Sequence, residues 1–254
     1  SFTMLLELLK KALPDGETLP ASFYEAKKII SQLGLDYLKI HACPNDCMLY
    51  WKDTEKLEKC VKCHTSRYKD NCEDTDEASN NHSKVPKKVL RYFPLIPRLQ
   101  CLFMPSKTTS LMTWHAKDRN DDGILRHPAD SPAWKTFDTI HPEFSVDPRN
   151  VRLGLASDGF NPFRTLSVNH STWPVVLMAY NLPPWLCMKQ PYIMLTLLID
   201  GPRAPGNDID VYLRPLIEEL KELWNMGVST YDSASKQMFQ MRASLMWTVI
   251  DFLG

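Results

Sequence analysis

Four cysteines crowd into residues 43–63: Cys43-Pro-Asn-Asp-Cys47, then twelve residues, then Cys60-Val-Lys-Cys63. Within each pair both thiolates can reach one ion from a tight turn. The separation between pairs is enough for a short hairpin to bring them together. Zn²⁺ takes four soft ligands in a tetrahedron at about 2.3 Å, and four thiolates leave no open position. The expected site is therefore structural, and its metal contributes to folding. His41 and His64 flank the cluster and could replace a ligand, but four cysteines suffice. An iron–sulfur cluster is the competing occupant. Cys72, Cys101 and Cys187 stand apart. This distribution is unlike a disulfide scaffold and fits a reducing compartment.

The second chemistry-bearing group is acidic. Asp158 follows the apolar run Val151–Ala156 and precedes Gly159-Phe-Asn-Pro-Phe163; Asp251 closes the run Ala243–Ile250. Between them the pattern reads strand, strand, helix, so a final strand would lie parallel to the first. Asp158 and Asp251 would then stand side by side and could share Mg²⁺ ions for phosphodiester chemistry. The alternative is that each is a turn or cap residue, the common role of Asp after a strand. Asp200 sits in Asp200-Gly-Pro202, a turn signal. We expect its strand to end at the opposite edge from Asp158, and Asp208 and Asp210 to cap a helix.

These groups must be positioned by the rest of the 254 residues, of which 44% are hydrophobic and 24% charged, with net charge zero. That is the composition of a folded protein with a real core. No apolar run is long enough for a membrane span. Neutrality excludes a globally basic nucleic-acid binder, so DNA contact must come from local patches. Residues 1–40 read as a helical pair, the second helix opened by the capping box Ser22-Phe-Tyr-Glu25 and closed by Gly34. Residues 41–69 form the zinc module. Residues 70–150 form a polar linker and a basic connecting region, of which 120–150 look irregular. Within it, residues 84–119 carry eight basic side chains against one acid, Asp118. Lys84, Lys87, Lys88 and Arg91 are the phosphate-facing candidates. From 151 to 254 the apolar runs predict strands near 151–157, 173–180, 191–199 and 243–250, and a helix near 211–225. Pro215 fits only a first turn, which places the regular helix start near Arg214.

The segments His41-Ala-Cys-Pro-Asn-Asp-Cys-Met-Leu-Tyr-Trp51, Leu125-Arg-His-Pro-Ala-Asp-Ser-Pro-Ala-Trp134, Gly154-Leu-Ala-Ser-Asp-Gly-Phe-Asn-Pro-Phe163, Asn181-Leu-Pro-Pro-Trp-Leu-Cys-Met188 and Pro205-Gly-Asn-Asp-Ile-Asp-Val-Tyr-Leu213 make the chain resemble the transposases of plant CACTA (En/Spm-type) DNA transposons. The resemblance covers nearly the whole chain. It implies that the helical and zinc-binding modules are followed by a partial ribonuclease-H-like mixed sheet, in a nuclear enzyme of the DDE/D type that cuts and joins DNA using Mg²⁺ or Mn²⁺. Asp158 matches the first acid of the triad and Asp251 the second. The third falls beyond Gly254, so we expect a truncated, inactive portion of a longer protein. The family typically has Asn before the second acid and Pro after the following Phe; here they are Ile250 and Leu253. It typically has Pro where Asp200 stands, which supports a turn.

Three readings follow: the amino-terminal part of a DNA transposase, a non-catalytic DNA- or protein-binding module derived from one, or a decayed remnant. The expected partner is DNA at transposon ends, with no membrane; a homo-oligomer is compatible with the sequence. Trp114, His115, His127 and Trp134 match family positions, and core or loop packing is their expected role.

Overall fold

The computed structural model describes residues 2–14, 16, 18–69, 84–163 and 170–250. The elements run in the order α1 (Phe2–Ala12), α2 (Phe23–Gln32), β1 (Leu38–Ala42), β2 (Leu49–Tyr50), β3 (Lys88–Tyr92), α3 (Leu95–Leu102), α4 (Ser106–Leu111), α5 (Trp114–Lys117), α6 (Pro132–Ile140) and α7 (Pro142–Ser145). They continue with β4 (Val151–Ser157), β5 (Trp173–Ala179), α8 (Pro184–Cys187), β6 (Ile193–Ile199), α9 (Ile209–Asn225), β7 (Val228–Asp232), β8 (Gln237–Met241) and β9 (Ala243–Ile250). Seven strands form one mixed sheet in the order β2-β1-β3-β6-β5-β4-β9, and β7 and β8 pair separately. Among the described residues only β4 and β9 pair in parallel; the other neighbouring strands of the sheet are antiparallel.

The parallel pair explains the apolar run that opens the region after 150. Val151, Leu153 and Leu155 are buried, and so are Arg152 and Gly154 between them, as expected of a strand covered on both faces. Helix α9 carries the chain from β6 back to β9. Its Tyr212, Leu216 and Leu223 are fully buried and share a core with Leu90, Leu99, Leu153, Leu177 and Leu197.

Strand directions give the sheet two distinct ends. Strands β1, β6, β4 and β9 finish at the upper end, where β3 and β5 begin. Ala42 there pairs with Lys88, and Ser157 with Ile250. The strands are staggered: Leu38, Tyr92, Leu197, Val175 and Ser157 form one row across the sheet, so β1 rises about four residues above the end of β4, while Val151 and Ala243 mark the lower end. The cysteine segment therefore leaves from the upper end, while α3 to α7 gather at the lower one.

Four expectations change. Strands near 151–157, 173–179, 193–199 and 243–250 form as expected, but β1, β2 and β3 extend the same sheet. Asp200 is not at the opposite edge: β4 and β6 both run antiparallel to β5, so both end upward with one strand between them. Helix α9 begins at Ile209, with Pro215 inside it. An interior proline costs about 3 kcal/mol, and burial of Ile209, Tyr212 and Pro215 itself offsets that. Residues 120–150 are not irregular. Ser131 caps α6 by accepting from the Trp134 N–H, with Pro132 in the first turn. The α2 capping pair forms as read, except that Glu25 reaches the Ala21 N–H. Asp208 stands at the α9 cap position without a side-chain cap bond.

Candidate metal centre and the acids at the upper sheet end

The sulfurs of Cys43, Cys47, Cys60 and Cys63 lie within 4.8 Å of one another, and Cys43 and Cys63 Sγ are 3.4 Å apart. A zinc tetrahedron with bonds of about 2.3 Å needs sulfur separations of roughly 3.8 Å, so this cage is of the right size. The two halves repeat one device. The Asn45 N–H donates to Cys43 Sγ and the Lys62 N–H donates to Cys60 Sγ, both at 3.4 Å. Donors aimed at sulfur favour the thiolates that a metal requires. Contact with Thr65 and Asn45 holds the Cys63 thiol down to about 5, whereas burial pushes Cys43 up to about 12. His41 is not in the cage; its Nδ1 accepts from Arg67 Nε at 2.8 Å. His64 lies outside it too, exposed with φ of 59°. Cys101 and Cys187 stand elsewhere, and Cys72 is outside the described residues.

Asp46, between the first two cysteines, ties this loop to the sheet. Its φ is 59°, a left-handed conformation that Asp tolerates better than most residues. Its carboxylate accepts from Tyr212 Oη on α9 and pairs with Lys88 Nζ at 2.5 Å. The Lys88 and Asp46 side chains are only 11% and 17% exposed. Lys88 therefore reaches across strands to lock the loop down. Trp51 adds a second link, donating from Nε1 to Glu218 of α9 at 3.3 Å.

Asp158 is exposed just past β4. The next residues turn back sharply: Phe160 and Thr172 exchange backbone hydrogen bonds at 3.0 and 2.9 Å. Gly159 makes that turn fit, because a Cβ there would lie 2.6 Å from Trp173 Cε2. A cleft of about 330 Å³ opens beside the acid, lined by Asp158, Phe160, Pro174, Val176 and Val249. Asp251 lies outside the described residues. Ser157 and Ile250, which immediately precede the two acids, are Cα partners in the parallel pair. Asp200 is at the same sheet end, 3.6 Å from His170 Nε2 and 3.8 Å from Arg91 Nη1.

Of the four basic candidates, Lys84 pairs with exposed Glu58 at 2.5 Å, Lys88 with Asp46 and Arg91 with Asp200. Lys87 N donates to the Arg67 carbonyl at 2.9 Å, extending β3 upward beside the cysteine segment. Of the other basic residues of 84–119, Arg98 and Arg119 are half-buried and Lys107 and Lys117 are exposed. Arg98 donates to the carbonyls of Pro94 and Leu35, and Arg119 pairs with Asp130 at 2.6 Å.

A cluster at the lower end escaped the sequence reading. Arg152, 1% exposed, pairs with Asp138 at 2.5 Å and lies over the rings of Trp134 and Phe144. Its Nη1 is 3.4 Å from His115 Nε2. His115, His127 and Trp134 are buried, which is the packing role expected for them. Burial and the nearby Arg152 charge hold His115 down to about 3; burial lowers His127 too. The partners of Arg152 are far away in sequence, so only its placement inside an apolar strand could have signalled it.

Among the described residues no helix is long and apolar enough to cross a membrane. Comparison with curated proteins gives no match. The profile described as Transposase family tnp2 matches residues 122–254, a stretch that begins before α6 and runs through β4, Asp158 and β9. With over half of its length matched, from the lower-end cluster to the strand that precedes Asp251, the chain belongs to the transposase family tnp2.

Proposed function

We propose that this chain is part of a plant CACTA (En/Spm-type) transposase, acting on DNA in the nucleus, and that its region from 151 onward is part of a ribonuclease-H-like catalytic domain. The observation that carries the reading is the parallel register of β4 and β9. Ser157 and Ile250 are register partners, which supports the reading that Asp158 and Asp251, the residues after them, would stand side by side. Asp158 is exposed there and would hold Mg²⁺ or Mn²⁺ together with Asp251 and a third acid further along. When bound, such ions activate a water or 3′-hydroxyl and stabilise the leaving oxygen. The chain's own contribution is position. The Phe160–Thr172 clamp fixes the turn after Asp158, and Gly159 lets Trp173 support it from behind. The apolar cleft lined by Phe160, Val176 and Val249 offers a dry seat for sugar and base beside the reacting phosphate. Lys84, Lys87, Lys88 and Arg91 rise at the same end and are proposed to face the DNA backbone, Lys88 least because it is tied to Asp46.

In a chain extended to the third acid, Asp158→Ala should abolish metal-dependent nicking and strand transfer while leaving thermal unfolding unchanged. Residues 1–254 alone should do neither, because two carboxylates position the ions poorly and rate depends steeply on position. Cleavage that survives Asp158→Ala would place the active site elsewhere. The second reading, a non-catalytic module derived from a transposase, is favoured by Ile250 and Leu253 where the family typically has Asn and Pro. It predicts DNA binding without cleavage in the extended chain as well.

A further inference from the structure

We infer that the cysteine segment is itself a DNA-contacting element, whose exposed Lys56, Lys59 and Lys62 grip the duplex backbone about two-thirds of a helical turn from the phosphate seated at Asp158. The inference rests on the reading of Asp158 as part of a DNA-processing site and adds a substrate surface that the acids and residues 84–91 do not supply.

Three observations carry it. The first is topological. Ala42, which leads into Cys43, ends β1 on the same side of the sheet as Ser157 ends β4, about four residues higher in register. Strands β3, β6 and β5 lie between them. Four strand spacings of about 4.8 Å and an offset of about four residues along the strands make roughly 23 Å. Backbone phosphates are spaced about 3.4 Å along one strand of a duplex, so a duplex lying obliquely across these strands would set the cysteine segment about seven nucleotides from Asp158.

The second is the way the segment is built onto that end. Lys59 bridges to Ser66, and Tyr68 to Pro86. The Lys69 and Lys87 N–H groups add bonds to the carbonyls of Val85 and Arg67. Residues 58–60, 65–69 and 85–87 thus make a small ribbon standing above the main sheet. Arg67 braces it from inside, donating to the Glu55 and Leu57 carbonyls. The Asp46 contacts with Tyr212 and Lys88 fix its base. A rigidly held ribbon loses little entropy on gripping a backbone.

The third is charge. Lys56, Lys59 and Lys62 are exposed and have no ion-pair partner within 4 Å among the described residues. Asp46 and Glu58 are taken by Lys88 and Lys84; Asp53 and Glu55 remain on the segment. At the lower end, exposed Lys107, Lys117 and Lys189 provide a matched set of three that the inference leaves out of the contact.

The test is the salt dependence of binding to a fluorescent 30-base-pair duplex, measured by anisotropy from about 50 to 300 mM NaCl. Each lost phosphate contact lowers the slope of log K against log salt by about 0.9. The triple variant K56Q/K59Q/K62Q, checked for an unchanged metal content and melting temperature, should lower the slope by about two to three. K107Q/K117Q/K189Q should leave it unchanged. An unchanged slope in the first variant, or an equal drop in both, overturns the inference while DNA binding stands. Failure of the unmodified chain to bind any duplex overturns both the inference and the reading it rests on.

Discussion

The two ends of the sheet are stabilised in different ways. At the upper end four cysteines, Asp46 and a turn around Asp158 project from strand termini, the last beside a cleft lined by Phe160, Val176 and Val249. The cluster of Cys43, Met48, Tyr50 and Cys60 is small and separate from the main core. At the lower end Arg152, Asn181 and Asn150 are buried among Phe144, Trp134 and Leu182. Asn181 accepts from the Arg152 N–H at 2.8 Å and donates to the Asn150 carbonyl at 2.9 Å. Asn150 in turn bonds Phe144 and Arg242. At the upper end Asp46 and Asp200 pair with Lys88 and Arg91 while Asp158 stays exposed; at the lower end Arg152 and Asp138 pair within the packing. Reactive groups can stay exposed above because packing below holds the strands that aim them.

The largest effect should come from removing the metal. Structural zinc sites contribute roughly 10 kcal/mol or more of apparent binding free energy, and the cysteine segment has little core to replace that. Chelation, or Cys43→Ser, should unfold residues 41–69 while the lower end persists. Hydrogen exchange should show rapid exchange across 41–69 and continued protection of 151–155 and 175–179. Metal-free protein with protection unchanged in 41–69 would remove the zinc from the account.

A smaller loss should follow from breaking the lower cluster. Asp138→Ala strands the Arg152 guanidinium at 1% exposure, and an uncompensated buried charge costs about 3 kcal/mol or more. Urea unfolding should show that loss, with metal content unchanged.

The smallest effect is the pH response of the same cluster. His115 is held down to about 3 in the folded chain, against 6.5 for the free side chain. The unfolded chain therefore binds the proton first, and stability falls as pH drops from about 6.5 toward 3. The expected loss between pH 7 and pH 5 is about 2 kcal/mol, with His127 contributing in the same direction. His115→Gln should flatten much of that slope in urea titrations at the two pH values.

The contrast between the ends also explains what could be read from the sequence. Upper-end groups are local: Cys43 and Cys47, or Cys60 and Cys63, sit in one turn, and Asp158 directly follows its strand. Spacing alone exposes them. Strands β4, β5, β6 and β9 are legible because each is a continuous apolar run. Asp200 was misplaced because sheet order and strand direction must be combined to locate its end. Strands β1 and β3 are short, and their apolar residues alternate with Lys39, His41 and Arg91, so they read as parts of a module and a basic stretch. Pro215 misled because a propensity rule was applied where Ile209 and Tyr212 are drawn into the core. Arg152, Asp138 and His115 form one site from three distant segments, which no spacing rule connects.

On the proposed assignment the upper end meets DNA and the lower end does not. Lysine acylation followed by mass spectrometry, with and without a duplex of about 30 base pairs, tests it directly. Protection is predicted at Lys56, Lys59, Lys62, Lys84 and Lys87, with Lys107, Lys117, Lys135 and Lys189 equally reactive in both states. Protection concentrated at Lys107, Lys117 or Lys189 would contradict it.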